Sequence, residues 1–286
     1  MSDNVLEQLI EYFQLELTDQ DCFRGQSQDL GYPRVFGGQV LGQSLVAAGR
    51  TVENRQPHSL HAYFLRPGDP VQPIDYHVSR IRNGKSFTTR SVVAEQKSKA
   101  IFNMSVSYQI GEKGLEHQDQ MPDVPGPEGL VSELERARKY KDYLPESIRY
   151  KLTCERPVEI RVVKPVDYFN PVVRDPVNYA WIKTTYPLPD DHLMHQCLLA
   201  YVSDFGLIEP SMFPHGLTFA QKNMQVASLD HSMWFHHPFR VDEWLLYEMR
   251  SPVSSSGRGL NFGRFFNQTG MLVASTAQEG LIRQRQ

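Results

Sequence analysis

Asp204 is the residue of this chain whose position most invites chemistry. Along residues 190–204, Leu193, Cys197, Tyr201 and Asp204 follow one another at spacings of four, four and three, which puts them on one face of a helix. The rest of that face suits a protein core, so the pattern predicts a carboxylate on the core stripe, with His192, His195, Gln196 and Ser203 on the opposite, polar face. A carboxylate taken out of water without partners is costly. An acid here is therefore either held by structural hydrogen bonds, for example capping a turn before Gly206, or kept for reaction. Desolvation raises such a carboxyl above its ordinary pKa of about 3.9, toward the range where it works as a general base at neutral pH.

The other chemistry-bearing residues give weaker signals. His192 and His195 have a spacing that can seat a metal, but no HExxH context surrounds them, and they read as solvated surface. His58 and His61 open a strand-like stretch, while His231, His236 and His237 crowd a loop-like one, and spacing singles out none as a base. The run from Gly37 to Ser44, GGQVLGQS, has the glycine spacing of a phosphate-binding loop, yet Gln43 stands where the lysine is needed. No GxSxG nucleophile elbow occurs. Arg66, Lys85 and Arg258 are candidate phosphate contacts whose simpler reading is solvated surface. Cys22, Cys154 and Cys197 are far apart, odd in number and without CxxC spacing, which argues against a disulfide framework and a zinc site alike. Neither a metal nor another cofactor is expected.

The elements that must position these residues come twice in the same order. Gly37-Gly38 opens QVLGQSLVAAGRTV, where Leu41, Leu45, Ala48 and Val52 form a helical stripe, and strand-like stretches follow with a turn at Asn83-Gly84. Further along, NYAWIKTTY leads into the Asp204 helix. The stretches QVASLDHSMWFHHPF and WLLYEMRSPV, a turn at Ser256-Gly257, and then LNFGRFFNQ and MLVASTAQEGLI complete the second round. Tyr63-Phe64 with Pro67 matches Trp234-Phe235 with Pro238, and Gly84-Lys85 matches Gly257-Arg258. This order predicts a duplication. Each copy reads as an α+β unit in which antiparallel strands wrap around one long central helix. Between the copies, residues 111–157 turn rich in Pro, Gly and charge before the helix-like run VSELERARKYKDYL. The expected division is residues 1–112, a linker with a helical segment at 113–156, and residues 157–286.

Five stretches then carry a resemblance: FRGQS at Phe23–Ser27, VFGGQVLGQ at Val35–Gln43, HAYFLRPGD at His61–Asp69, DHSMWFHHPF at Asp230–Phe239, and VASTAQEGLIR at Val273–Arg283. With these, nearly the whole chain resembles the bacterial acyl-CoA thioesterase II family, a double hot-dog group with peroxisomal relatives. The resemblance implies a tandem double hot-dog fold and hydrolysis of medium- to long-chain fatty acyl-CoA to free acid and coenzyme A, within fatty acid metabolism. It also implies a homodimer or homotetramer and a catalytic trio of Asp, a Thr or Ser hydroxyl, and Gln. Those positions fall on Asp204, Ser228 and Gln278. Ser228 departs from the threonine of the best-known bacterial members; the hydroxyl survives and the stiffer rotamer does not. In that reading Asp204 takes a proton from an attacking water that Ser228 and Gln278 hold, without a covalent intermediate. The oxyanion donor is open, with a backbone N–H near Gly37-Gly38 as one candidate.

Bulk properties agree with a small-molecule partner. A formal net charge of −3 over 286 residues and a pI near 6.4 provide no field to gather nucleic acid or an anionic membrane. No run of eighteen apolar residues occurs, so no membrane insertion is expected. MSDNVLEQLIEYF lacks the basic start and apolar run of a signal peptide, and LIRQRQ is not a peroxisomal tripeptide, which predicts a cytoplasmic protein. Two readings compete with hydrolysis: a hot-dog hydratase acting on enoyl thioesters through an Asp and His pair, and a non-catalytic acyl-CoA binding module. The first lacks an evident His partner for Asp204, and the second would have lost the acid or the amide.

Overall fold

The protein is described from a computed structural model that covers residues 4–30, 33–143, 146–168, 170–221 and 223–285. Helix α1 (Val5–Phe13) starts where the Asn4 side chain accepts from the backbone N–H groups of Leu6 and Glu7, and it buries Leu6, Leu9 and Phe13. Short strands β1 (Glu16–Asp19) and β2 (Cys22–Gly25) lead to helix α2 (Gly37–Gly49), and then to strands β3 (Gln56–Phe64), β4 (Ile74–Asn83), β5 (Phe87–Gln96) and β6 (Lys99–Gln109). The connection contains α3 (Glu133–Lys139), closed at its start by a Ser132–Glu135 capping box, and α4 (Glu146–Thr153). Of the run expected to be helical at 131–144, α3 and a following 3-10 turn occupy most, and Leu144 lies outside the described residues. The second round comprises β7 (Val158–Val162), β8 (Val177–Thr184), α5 (His192–Ser203), β9 (Met224–Ser228), β10 (Asp230–Phe235), β11 (Leu245–Ser255), β12 (Arg258–Asn267) and β13 (Leu272–Gln284).

All strand pairs are antiparallel and join one sheet in the order β1-β2-β4-β5-β6-β3-β10-β13-β12-β11-β8-β7, with β9 pairing β13 beside that path. The two rounds meet where β3 pairs β10, His61 opposite Ser232. The turn at Ser256-Gly257 is a two-residue hairpin with both φ angles positive, 51° and 72°, as a type I′ turn requires.

The expected helical stripes need correction. In α2 every residue from Gly38 to Gly49 is buried, Gln39, Gln43 and Ser44 included, because strands cover one side and α5 covers the other. Gln43, the residue that spoils the phosphate-loop motif, is a structural tie: its Nε2 donates to the carbonyls of Tyr12 and Gln26, and its Oε1 accepts from Tyr76 Oη. The supposed polar face of α5 is likewise partly interior. His192 is exposed, but His195 and Ser203 are buried, and His195 Nδ1 accepts from Val241 N–H at 3.1 Å.

Helices α2 and α5 run antiparallel in close contact, and glycines make this possible. A Cβ on Gly38 would lie 2.2 Å from the Tyr201 carbonyl oxygen, and one on Gly42 would lie 3.0 Å from that of Cys197. No side chain fits at the first of these positions without separating the helices. Phe36, just before α2, packs on Tyr201 and Phe205 with ring centroids 5.3 and 4.4 Å apart, which pins the start of α2 to the end of α5.

Candidate active site

Asp204 is the residue after the last turn of α5, and its side chain points at the first turn of α2 rather than capping the turn before Gly206. Its Oδ2 accepts the Gly38 N–H at 3.0 Å. A carboxylate at this end of a helix meets orphan N–H groups and the positive end of the helix dipole. Gly37 allows the approach, since a Cβ there would lie 2.7 Å from Asp204 Oδ2 and 2.8 Å from Phe64 Cε1. The Gly38 N–H, one of the candidate oxyanion donors, is thus occupied by Asp204.

The three residues singled out by resemblance come together. Ser228 Oγ donates to Asp204 Oδ1 at 3.1 Å, and Gln278 Nε2 donates to Ser228 Oγ at 2.8 Å. Burial pushes the Asp204 carboxyl up to about 6, against the pull of the Ser228, Gln278 and Gly38 donors. Such a carboxyl is an ionised base at neutral pH and a far better proton acceptor than an exposed one.

His231 also belongs to this cluster, and sequence reasoning missed it. The stretch QVASLDHSMWFHHPF, whose histidines read as loop-like, holds two strands, β9 and β10, separated at Leu229, and His231 lies within β10 rather than in a loop. Ser228 faces Gly280 of β13, whereas Ser232 faces Ala277, so four steps on one side answer three on the other. This is a β-bulge. Leu229 N–H donates to the Glu279 carbonyl at 3.0 Å, and the Asp230 carboxylate accepts the Glu279 N–H at 2.7 Å, which hold the bulge. In an unbroken strand Ser228 and His231 would point to opposite faces; the extra residue turns both toward Gln278. His231 Nδ1 lies 2.5 Å from Gln278 Oε1 and Nε2 lies 2.9 Å from Ser203 Oγ. Burial pushes the imidazole down to about 4, so it is neutral at physiological pH. Directly opposite Gln278 on β12, buried Asn261 donates from Nδ2 to the Gly259 carbonyl, and its Oδ1 has no hydrogen-bond partner among the described residues.

The remaining candidates lie elsewhere or are otherwise engaged. His58 Nε2 is 2.8 Å from Ser107 Oγ and His61 Nδ1 is 3.0 Å from Ser232 Oγ, neither in contact with the trio. Arg258 is paired with Glu279, and Arg66 donates to the Ala100 carbonyl.

One antiparallel sheet on paired helices, with an acid, a hydroxyl and a buried amide joined where the two rounds meet, is the architecture of a tandem double hot-dog protein. Solved structures agree on the fold: a protein from Alicyclobacillus acidocaldarius described as having a hot dog fold superposes with a TM-score of 0.78 at 20% identity, over 96% of this chain and 98% of its own. Residues 148–281 match the family described as acyl-CoA thioesterase, and residues 25–109 match the acyl-CoA thioesterase N-terminal domain. The chain is 45% identical to acyl-CoA thioesterase 2 of Haemophilus influenzae over 99% of both chains. It is also 40% identical to the acyl-CoA thioesterase II TesB2 of Mycobacterium marinum, whose crystal structure superposes with a TM-score of 0.79 over 96% of this chain and 98% of that one. The chain belongs to the acyl-CoA thioesterase family.

Proposed function

We propose that this protein hydrolyses medium- to long-chain fatty acyl-CoA with a water activated at Asp204, and that Ser228 and Gln278 position that water. The carrying observation is the Asp204 carboxyl, lifted to about 6 by burial while Ser228 and Gly38 hold one oxygen each. Water, sharing a proton with Asp204, attacks the thioester carbon as the proton passes to the carboxylate. The tetrahedral intermediate then expels the coenzyme A sulfur, which takes the proton back from Asp204, leaving free acid, thiol and a regenerated base. Ser228 Oγ donates to Asp204 and accepts from Gln278, which leaves it one more acceptor site and leaves Gln278 a second N–H. Water bound by both is oriented before attack.

The hydratase reading would recruit His231 as the second catalytic group. Both its nitrogens are engaged and burial disfavours its protonation, which supports hydrolysis instead. Two hot-dog units at residues 1–112 and 157–286, joined by 113–156, a homodimer or homotetramer, and a cytoplasmic location complete the proposal.

Mixing the protein with palmitoyl-CoA and with crotonyl-CoA, while recording thiol release and enoyl absorbance, tests the reading. Thiol release without enoyl loss is expected; enoyl loss without thiol release would establish the hydratase instead, and binding without either would leave a binding module. The pH profile adds a second check. A raised carboxyl that must be ionised to act makes kcat/KM climb as pH rises through about 6 and level off above it. A profile flat across that window contradicts Asp204 as the base.

A further inference from the structure

We infer that His231 is a positioning residue for hydrolysis, which sets the orientation of the Gln278 amide and through it the direction of every hydrogen bond leading to Asp204. The inference rests on the catalytic reading of Asp204, Ser228 and Gln278. Four contacts connect in series: Ser203 Oγ with His231 Nε2 at 2.9 Å, His231 Nδ1 with Gln278 Oε1 at 2.5 Å, Gln278 Nε2 with Ser228 Oγ at 2.8 Å, and Ser228 Oγ with Asp204 Oδ1 at 3.1 Å. Ser203, His231 and Gln278 are buried, so no bulk water can substitute for a misdirected donor.

Proton counting leaves one arrangement when Asp204 is ionised. The carboxylate only accepts, so the single Ser228 hydroxyl proton must go to it. Ser228 must then accept from Gln278, which places the amide nitrogen toward Ser228 and the amide oxygen toward His231. That oxygen requires a donor, so neutral His231 carries its proton on Nδ1, and Nε2 accepts from Ser203. Ser203 Oγ also lies 2.8 Å from the Ala200 carbonyl, but giving its proton there would set a lone pair against the bare Nε2. The backbone of Ser203 is itself fixed by Tyr247, whose hydroxyl donates to the Ser203 carbonyl at 2.8 Å. Reversing the amide would turn its oxygen toward Ser228, which would then lack a proton for Asp204 and would lose the N–H that holds water. His231 touches neither substrate nor water in this arrangement. It acts through Gln278, and an imidazole that stays neutral well below pH 6 keeps its single Nδ1 proton throughout the range in which Asp204 ionises.

The test compares His231→Leu with His231→Asn, whose side-chain N–H reaches the place of Nδ1–H. With palmitoyl-CoA as substrate, His231→Leu is expected to lower kcat roughly 10- to 100-fold with KM within about twofold, as small misplacements of catalytic groups do. His231→Asn is expected to recover most of that loss. Equal kcat in wild type and His231→Leu, or an Asn variant no better than Leu, overturns the inference. Should either variant fail to fold, the wild-type protein decides: nitrogen-15 correlation spectra at pH 7 are expected to show a neutral Nδ1–H imidazole at His231, and an Nε2–H tautomer or an imidazolium overturns it. A parallel Asp204→Asn measurement keeps the two readings apart. Near-normal turnover there removes the catalytic trio itself, whereas an inactive Asp204→Asn with an unaffected His231→Leu removes only the role given to His231.

Discussion

The C-terminal ends of the two buried helices have opposite fates. At the end of α5 a carboxylate collects hydrogen-bond donors from Gly38 and Ser228 and faces Gln278 across the β9–β13 junction. At the end of α2 the corresponding space is filled by Arg90 of β5, whose Nε donates to Thr51 Oγ1 at 2.8 Å and whose other nitrogens donate to the carbonyls of Thr51, Arg82 and Thr89. Arg90 is 2% exposed. Both places satisfy buried backbone groups with one side chain, the Gly38 N–H at the α5 end and the carbonyls of Thr51, Arg82 and Thr89 at the α2 end. One solution leaves a proton acceptor with raised affinity; the other consumes the polar groups in mutual contacts and leaves no base. A duplicated frame therefore supplies two sites, and the local donors and acceptors decide which of them can do chemistry.

Substitutions at four positions bear on that contrast. Asp204→Asn is expected to lower kcat by about 10² to 10⁴, the contribution of a positioned base, with the circular dichroism spectrum unchanged; turnover near wild type breaks the assignment of chemistry to the α5 end. Ser228→Ala removes the hydroxyl between Gln278 and Asp204 and is expected to reduce kcat roughly 10- to 100-fold, while Ser228→Thr stays within a few-fold because the hydroxyl is kept. Alanine and threonine variants of equal activity would show that the hydroxyl is not used. Gly38→Ala should lower both thermal stability and kcat, the latter about tenfold, because its methyl would sit 2.2 Å from the Tyr201 carbonyl oxygen and part α2 from α5. A fully active and fully stable variant would mean that the helix contact does not set the site. Arg90→Met, at the other end of the pair, is expected to leave kcat unchanged and to destabilise by on the order of 1 to 3 kcal/mol through unsatisfied buried carbonyls, seen in chemical denaturation. A loss of kcat comparable to that of Asp204→Asn would erase the distinction between the two ends.

Much of the frame was legible in the residues. The spacing of Leu41, Leu45 and Ala48 marks a buried helix, and Ser256-Gly257 marks a hairpin that needs two positive φ angles. Leu193, Cys197, Tyr201 and Asp204 mark the acid's face because 3.6-residue periodicity is a local property of the chain. Ser228 and Gln278, by contrast, were legible only through likeness to a family, since a polar residue on a strand carries no signal of its own.

What the sequence by itself determined is therefore periodic: two helices, the strands around them, the repeated order, and an acid turned inward. Tertiary structure decided the rest. Whether the polar side of α5 met water or protein depended on what packed there, which is why His195 and Ser203 are interior. Whether Ser228 and His231 shared a face depended on one extra residue at Leu229, a bulge defined only against β13. The N–H that holds Asp204 comes from Gly38, 166 residues earlier. Local spacing encodes the direction of a side chain relative to its own helix or strand, but a hydrogen bond between distant elements exists only once the sheet and both helices have come together.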